Sequence, residues 1–378
     1  MPNEPVQPDL PGEPKKTPEP GTALCLSGGG YRAMMFHVGA LWRLYEAGLL
    51  GNLKRISSVS GGSITAGVLA LKWRKLSFDP ARLKADFVPE VVTPLRGLAG
   101  ETIDAGSVII GGLFPGSIND RIAAAYDEHL FHGATLQDMP NTPRFVINAT
   151  NVQSGVLWRF MKPYMRDYRV GEVKNPTVTL AKAVAASSAF PPLLSPCELR
   201  LDSDAFTARS GKDLQRPPFT THVVLSDGGV YDNLGLETAW KRYQTILVSD
   251  AGGQLAPEEE PKSDWPRHAY RVLNLIDNRV RALRKRQAID SFVSGARRGG
   301  YWGIRTDIAK YQLPDALPCP VDKTMVLAET PTRLKRMNDK LQERLINWGY
   351  AVCDAALRKH VDKTLAKPAG FPYPAAKV

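Results

Sequence analysis

The sequence has few cysteines and no long hydrophobic run. Among 378 residues there are four cysteines, all far apart in the chain: Cys25, Cys197, Cys319 and Cys353. This excludes a disulfide-dense scaffold and a cysteine-based zinc site, and it is typical of a reducing compartment. No stretch reaches the roughly 18 consecutive apolar residues that a membrane-spanning helix needs. Residues 1–20 also lack the apolar segment of a secretory signal, so we expect a cytoplasmic protein, with peripheral contact at the inner membrane face left open.

The chain carries an excess of positive charge. Lys and Arg number 49 against 38 for Asp and Glu, which gives a formal net charge of +11. Apolar residues make up 43% and charged residues 23%, values typical of globular proteins and too apolar for a disordered chain. The excess favours an anionic partner, either a membrane surface or a nucleic acid.

Proline spacing predicts where the folded region begins. Prolines occupy every third position at the start of the chain: Pro2, Pro5, Pro8, Pro11 and Pro14. This spacing predicts an extended, disordered leader over residues 1–20, and a similar composition predicts a flexible tail over 363–378. No linker or repeat interrupts the chain between them, so we expect one domain over 21–362 that includes a C-terminal helical extension.

Strand and helix patterns alternate along this domain. Strands are predicted at 22–27, 55–59, 144–150, 155–160, 222–226 and 245–249. Helices are predicted at 33–47, 61–73, 180–188 and 234–243. The alternation predicts an α/β layered fold.

A glycine-rich segment follows the first predicted strand. It reads Ser27-Gly28-Gly29-Gly30-Tyr31-Arg32 and opens the first helix. Consecutive glycines let backbone N–H groups converge, and the start of a helix adds a positive end, so such a nest binds anions. The anion is either a nucleotide phosphate or the oxyanion of an acyl-transfer reaction. A plain strand-to-helix turn accounts for this segment equally well.

A second segment has the strand–turn–helix context of a nucleophile elbow. In Ser58-Val59-Ser60-Gly61-Gly62-Ser63, only Ser60 has small residues two positions away on both sides. Ser60 is therefore the best candidate nucleophile. As an alternative, Ser60 is an ordinary helix N-cap.

A third segment, Ser226-Asp227-Gly228-Gly229, ends a later predicted strand. Open α/β sheets present catalytic groups at the carboxyl ends of their strands. Asp227 is therefore a candidate acid or base, although an Asp-Gly turn is common in itself.

Taken together and in this order, the three segments resemble the patatin-like phospholipase family. The likeness spans residues 23–250 and includes the segment ASSAFPP at 186–192, with further similarity at 302–304 and 347–357. The resemblance implies a three-layer α/β/α domain with a central, mostly parallel sheet. Ser58 stands where the elbow motif has glycine, and Ala33 stands where a dinucleotide fingerprint has its last glycine.

The resemblance also implies a reaction. A lipid acyl hydrolase of the phospholipase A or lysophospholipase type would use a Ser60–Asp227 dyad and an acyl-enzyme, without metal or cofactor. The implied oxyanion hole consists of Gly28, Gly29, Gly30 and Gly61. Substrate-contacting or supporting roles fall to Tyr31, Arg32, Gly62, Gly228 and Gly229.

Two other functions remain open from the sequence. An α/β-hydrolase triad needs a histidine after the acid, and His268 in a predicted loop is the candidate for that role. In the other alternative the site is inactive and the chain is a basic binding protein. Serine chemistry needs no metal, and no EF-hand pattern is present.

Much of the positive charge lies in one segment. Residues 267–310 contain eleven bases and three acids, with Leu273, Ile276, Val280 and Leu283 at helical spacing. The simplest interpretation is an amphipathic helix with its apolar side in the core. Contact with anionic lipid head groups is the functional alternative, and Arg281, Arg284, Lys285 and Arg286 are its candidate residues. Nucleic-acid binding is not favoured, because no aromatic-interleaved groove or known motif accompanies the charge.

Overall fold

A ten-stranded sheet organises the chain in a computed structural model, which describes residues 17–103 and 117–378. In chain order the strands are β1 (Glu19–Leu26), β2 (Arg55–Ser58), β3 (Arg144–Asn151), β4 (Val156–Phe160), β5 (Tyr164–Asp167), β6 (Gly171–Lys174), β7 (Cys197–Arg200), β8 (His222–Asp227), β9 (Tyr243–Asp250) and β10 (Arg298–Gly303). Their spatial order is β10-β9-β1-β2-β3-β4-β5-β6, and β8 pairs with both β3 and β7.

The centre of the sheet is parallel. Strands β10, β9, β1, β2 and β3 all pair in parallel, whereas β4 to β8 join as antiparallel additions. Parallel neighbours end at the same edge, so the turns after β1, β2 and β9 lie close together. This arrangement confirms the predicted mostly parallel α/β sheet.

Helices cover both faces of the sheet. They are α1 (Gly30–Glu46), α2 (Gly61–Lys72), α3 (Thr93–Ala99), α4 (Ile118–Tyr126), α5 (Leu180–Ser187), α6 (Gly229–Asp232), α7 (Glu237–Trp240), α8 (Trp265–Val293), α9 (Val321–Ala328) and α10 (Asp339–Ala356). Within the described residues, none of these helices is both long enough and apolar enough to cross a membrane.

Side-chain alternation along β1 shows the three layers. Leu24 and Leu26 join the larger core with residues of α1, α2 and α10. Ala23 and Cys25 point to the other face, where they join a smaller core with α7 and the end of α8. Successive side chains of a strand point to opposite faces, so β1 is buried on both sides. The three-layer architecture is therefore confirmed.

Several elements differ from the sequence prediction. The helix predicted at 234–243 is wrong: the structure has the short α6 and α7, separated by Gly235 at φ +65°. A positive φ interrupts a right-handed helix. Strand β1 begins at Glu19, inside the predicted leader, because the Glu19 N–H donates to the Arg242 carbonyl oxygen. Residues 1–16 of that leader lie outside the described residues.

The C-terminal tail also differs from its prediction. Instead of leaving the fold, residues 363–378 lie along α10 without regular structure. The Asn347 side-chain amide donates to the carbonyl oxygens of Tyr373 and Lys377, and its oxygen accepts the Tyr373 N–H at 3.0 Å. Phe371 and Tyr373 pack against the core. One buried amide thus satisfies several backbone groups of a segment whose composition predicts disorder.

Candidate active site

Strand register brings the second and third sequence segments together. Strand β4 pairs along one edge of β3, and β2 pairs along the other edge up to Ser58, opposite Ile147. Strand β8 runs antiparallel to β3 and pairs with the next part of the edge that β2 occupies, with Asp227 opposite Ala149. The ends of β2 and β8 therefore meet. Ser60 and Asp227 lie at this junction although 167 positions separate them in the sequence.

Ser60 occupies a strained turn. Its backbone has φ 51° and ψ −121°, a conformation that residues with a side chain rarely adopt. A Cβ at Gly61 would lie 2.2 Å from the Gly30 carbonyl oxygen, and one at Gly62 would lie 2.5 Å from the Leu26 carbonyl oxygen. Only glycine fits at both positions. The turn has the geometry of a nucleophile elbow, with a half-buried serine at its tip.

A serine from the fifth helix holds this turn. The Ser187 hydroxyl accepts the Ser60 backbone N–H at 3.0 Å and donates to the Asn148 carbonyl oxygen at 2.6 Å. It also lies 2.8 Å from the Ser63 hydroxyl. Ser187 belongs to the ASSAFPP segment, which the sequence marks only by its small residues. Sequence reasoning did not identify its contact with the elbow.

Asp227 is fixed by backbone hydrogen bonds. Its N–H donates to the Ala189 carbonyl oxygen at 2.9 Å, and its carboxylate accepts the Gly229 N–H at 2.6 Å. The Gly228 N–H donates to the Ser187 carbonyl oxygen at 3.2 Å. Residues 187–189 thus hold both the elbow and the Asp227 turn.

The environment of the Asp227 carboxylate changes its acidity. Burial raises the pKa of Asp227 to about 7, against opposing hydrogen bonds from the Gly229 N–H and the Ser60 hydroxyl; Asp277 raises it further. The side chain is 2% exposed. A buried carboxylate with a pKa near neutrality beside a serine has the properties of a general base.

The glycine-rich nest lies beside Ser60. A Cβ at Gly28 would lie 3.1 Å from the Ser60 Cβ and 2.3 Å from the Asn233 side-chain oxygen. The Gly28 N–H donates to the Asn233 carbonyl oxygen at 3.1 Å, so it is not available to an oxyanion. In the part of the chain that the structure describes, no hydrogen bond occupies the N–H groups of Gly29, Gly30 and Gly61. Asn233 is a second residue that sequence reasoning missed.

Tyr31 and Arg32 are buried beneath the nest. Tyr31 is fully buried in the larger core. The Arg32 guanidinium donates to the carbonyl oxygens of Ala251, Ala328 and Thr330, the last at 2.6 Å. Burial, with smaller contributions from Arg281 and Arg305, lowers the pKa of Arg32 to about 10. Arg32 therefore stays cationic at neutral pH, and its hydrogen bonds connect the nest to the segments that contain Ala251 and Ala328.

The basic segment lies in α8 up to Val293 and continues into β10. The orientation of the helix differs from the simplest prediction, because Ile276 and Leu283 are exposed, whereas Leu273 and Val280 are half-buried. Arg284 forms an ion pair with Glu237 at 3.2 Å, and the Lys285 ammonium lies 4.8 Å from the centre of the Tyr301 ring. The Arg281 guanidinium packs against Gly252. Of the four candidate membrane residues, only Arg286 is exposed. Glu237 and the Tyr301 ring, which belong to other elements of the fold, hold this basic side of α8 against the protein.

The histidines that the structure describes lie apart from Ser60 and Asp227. His268 lies exposed in the first turn of α8, and no histidine ring in the described ranges hydrogen-bonds to Ser60 or Asp227. His37 is buried: its Nε2 donates to the Ser27 carbonyl oxygen and its Nδ1 accepts the Ser249 hydroxyl proton. Burial lowers the pKa of His37 to about 4, so it is neutral. The described residues contain no group of His, Cys, Asp and Glu side chains that could hold a metal ion.

Solved structures similar to this chain come from phospholipases and a bacterial protein. Human GIVD cytosolic phospholipase A2 matches with 14% identity over 61% of this chain and 45% of that chain, at a TM-score of 0.42. Its complex with methyl gamma-linolenyl fluorophosphonate matches with 12% identity over 89% and 57% at 0.49, and VipD from Legionella pneumophila with 16% over 92% and 68% at 0.35. The chain thus spans less than half the length of the first of these structures. No curated protein matches the sequence.

A family model supplies the assignment. The model described as patatin-like phospholipase matches residues 24–240, which is more than half of the chain. The matched range contains the nest, the elbow and the Asp227 turn. The chain belongs to the patatin-like phospholipase family.

Proposed function

We propose that this protein is a lipid acyl hydrolase of the phospholipase A or lysophospholipase type, with Ser60 as nucleophile and Asp227 as base. The observation that carries the proposal is the meeting of the ends of β2 and β8, which brings Ser60 beside the buried Asp227 carboxylate. Membership of the family supports the class of reaction. The neighbouring nest supports the stabilisation of an oxyanion.

The first half of the reaction forms an acyl-enzyme. Asp227 accepts the Ser60 proton while the Ser60 oxygen attacks the ester carbonyl carbon. The N–H groups of Gly29, Gly30 and Gly61 are the proposed donors to the resulting oxyanion, each worth about 3 kcal/mol in such sites. The tetrahedral intermediate then expels the alcohol oxygen, which takes the proton from Asp227. The acyl group remains on Ser60.

The second half releases the fatty acid. Asp227, again ionised, accepts a proton from water as the water oxygen attacks the acyl carbon. The same N–H groups hold the second oxyanion. Its collapse returns a proton to Ser60 and frees the carboxylic acid. The raised pKa of Asp227 supports both proton transfers, because a base that titrates near the working pH exchanges protons readily.

The position of Ser60 beside Asp227 favours a dyad over a triad with His268. In a Ser–His–Asp triad the imidazole lies between the other two groups. Here no histidine ring in the described ranges hydrogen-bonds to either residue, and His268 lies on the exposed first turn of α8.

The experiment is hydrolysis of a short-chain acyl ester by the parent protein and by the variants Ser60→Ala and Asp227→Ala. We expect each variant to abolish hydrolysis. Ser188→Ala is the matched control, because the Ser188 hydroxyl donates to the Val184 carbonyl oxygen and does not contact the elbow. We expect this variant to keep most of the activity. Absence of hydrolysis by the parent, or retention by Ser60→Ala, contradicts the proposal and leaves the alternative of an inactive binding protein.

A further inference from the structure

Helix α8 carries a row of apolar residues on its outer side. Trp265, Val272, Ile276 and Leu283 are 82%, 43%, 53% and 58% exposed. Their spacing of seven, four and seven residues places them on one side of the helix, along a stripe about 27 Å long. We call these four residues the outer stripe. Single exposed apolar residues are common in soluble proteins, but a stripe of this length on one helix marks an interaction surface.

The opposite side of α8 is polar and faces the protein. Arg284 pairs with Glu237, Lys285 lies over Tyr301, and Ala288 is buried in the smaller core. Arg281 and Lys285 line a cavity of about 360 Å³ between α8 and the ends of β9 and β10. These contacts fix the rotation of the helix about its axis. This anchoring turns Ile276 and Leu283 outward, and Trp265 lies in the first turns of α8, which are exposed on all sides.

Charge beside the outer stripe indicates what covers it. Arg279 and Arg286 are exposed and flank Ile276 and Leu283, whereas the acid Asp290 lies further along, near the helix end. Two copies of this face packed together would bring these arginines into opposition. An anionic lipid surface instead receives the apolar side chains between its acyl chains and the arginines among its head groups.

The position of α8 relates this face to the catalytic residues. Helix α8 packs against α6, which directly follows Asp227, and against β10. Its Arg281 packs against Gly252, just after the end of β9, so α8 reaches the end of the sheet at which Ser60 and Asp227 lie.

We propose that the outer stripe of α8, with Arg279 and Arg286, binds anionic membranes by lying in the lipid–water interface. This goes beyond the proposed ester hydrolysis, since binding needs neither Ser60 nor Asp227. It also replaces the sequence-based assignment, in which Arg281, Arg284 and Lys285 would contact the lipid. The surface that meets the membrane is the opposite side of the same helix.

The test is co-sedimentation with vesicles of phosphatidylcholine mixed with phosphatidylglycerol, carried out in the Ser60→Ala background so that hydrolysis cannot change the vesicles. We expect Ile276→Glu combined with Leu283→Glu to weaken binding at least about tenfold, because two apolar side chains that insert into the lipid are lost. The control is Val326→Glu, an equally exposed apolar residue (58%) on α9, which should bind like the parent. Thermal unfolding of each variant establishes that the fold is intact.

A second double variant tests the contribution of the arginines to membrane binding. Arg279→Glu with Arg286→Glu is expected to reduce binding to the mixed vesicles and to have little effect on weaker binding to pure phosphatidylcholine. Unchanged binding in both double variants overturns the inference. A parent that instead dimerises in sedimentation, with dimers lost in Ile276→Glu, also overturns it. Ester hydrolysis without vesicle binding contradicts only this inference, and vesicle binding without hydrolysis contradicts only the proposed function.

Discussion

The Ser187 hydroxyl accepts the backbone N–H of Ser60 at 3.0 Å. Through this bond the end of α5 holds the strained turn that carries the candidate nucleophile. The Ser187 carbonyl oxygen also accepts the Gly228 N–H, directly after Asp227. One residue thus links the two halves of the proposed dyad and fixes their relative position without touching the proposed reacting atoms.

Ser187→Ala should therefore lower kcat more than it changes KM. Loss of the hydroxyl frees the Ser60 N–H and lets the elbow relax, and a displacement of this kind costs about 10- to 100-fold in rate. Steady-state kinetics on a short acyl ester measure the split.

Ser188→Ala is the matched control for this variant. Its hydroxyl is also buried at the end of α5, but it donates to the Val184 carbonyl oxygen instead of contacting the elbow. We expect a loss of unfolding free energy similar to that of Ser187→Ala, with kcat preserved. Equal kcat in both variants would show that Ser187 has no positioning role.

The pH dependence of hydrolysis should follow the Asp227 carboxyl group. Its pKa is raised to about 7, and only the ionised form accepts the Ser60 proton. We expect kcat/KM to rise about tenfold per pH unit below that value and to level off above it. A profile that is flat between about pH 5 and pH 8 would exclude Asp227 as the base.

Burial of this carboxyl group should also cost stability. Aspartate titrates near ~3.9 in an unfolded chain, so the folded state binds the proton more tightly. The associated stabilisation is present below ~3.9 and is lost as the pH rises through about 7, by at most about 1.4 kcal/mol per pH unit.

Asp227→Asn removes this titration and should be more stable than the parent at neutral pH. The gap in unfolding free energy should be about 3 kcal/mol larger near pH 8 than near pH 5. Urea unfolding at both values measures it. A gap independent of pH would mean that the carboxyl group has an ordinary pKa.

His268 offers a direct comparison between dyad and triad. In the dyad His268→Ala keeps nearly full activity, because the residue lies on the exposed first turn of α8. In a triad the same change costs about ten-thousandfold in kcat. Kinetics of this single variant on a soluble ester distinguish the two mechanisms.

The segments that form the candidate site could be predicted from the sequence because each follows a strand and contains adjacent glycines. Glycine is required where Gly61 approaches the Gly30 carbonyl oxygen, and that requirement leaves a visible pattern. The supporting residues leave none. Ser187 and Asn233 act through contacts with residues more than a hundred positions away, and a serine or asparagine at a helix end carries no sign of such a partner.

The orientation of α8 also could not be predicted from the sequence. Periodicity identifies an apolar side and a basic side, but it does not say which one faces the protein. The choice depends on Glu237 and Tyr301, which lie in other elements. Where counter-charges are supplied by the neighbouring structure, the expectation that apolar residues point inward is reversed.

Covalent labelling of the nucleophile tests the central claim most directly. The protein is incubated with an acyl-chain fluorophosphonate, which phosphonylates activated serines with loss of fluoride, and the modified residue is located by mass spectrometry of peptides. We predict a single adduct on Ser60, formed much more slowly in Asp227→Asn. An adduct on another serine, or ester hydrolysis that persists while Ser60 stays unmodified, would contradict the account.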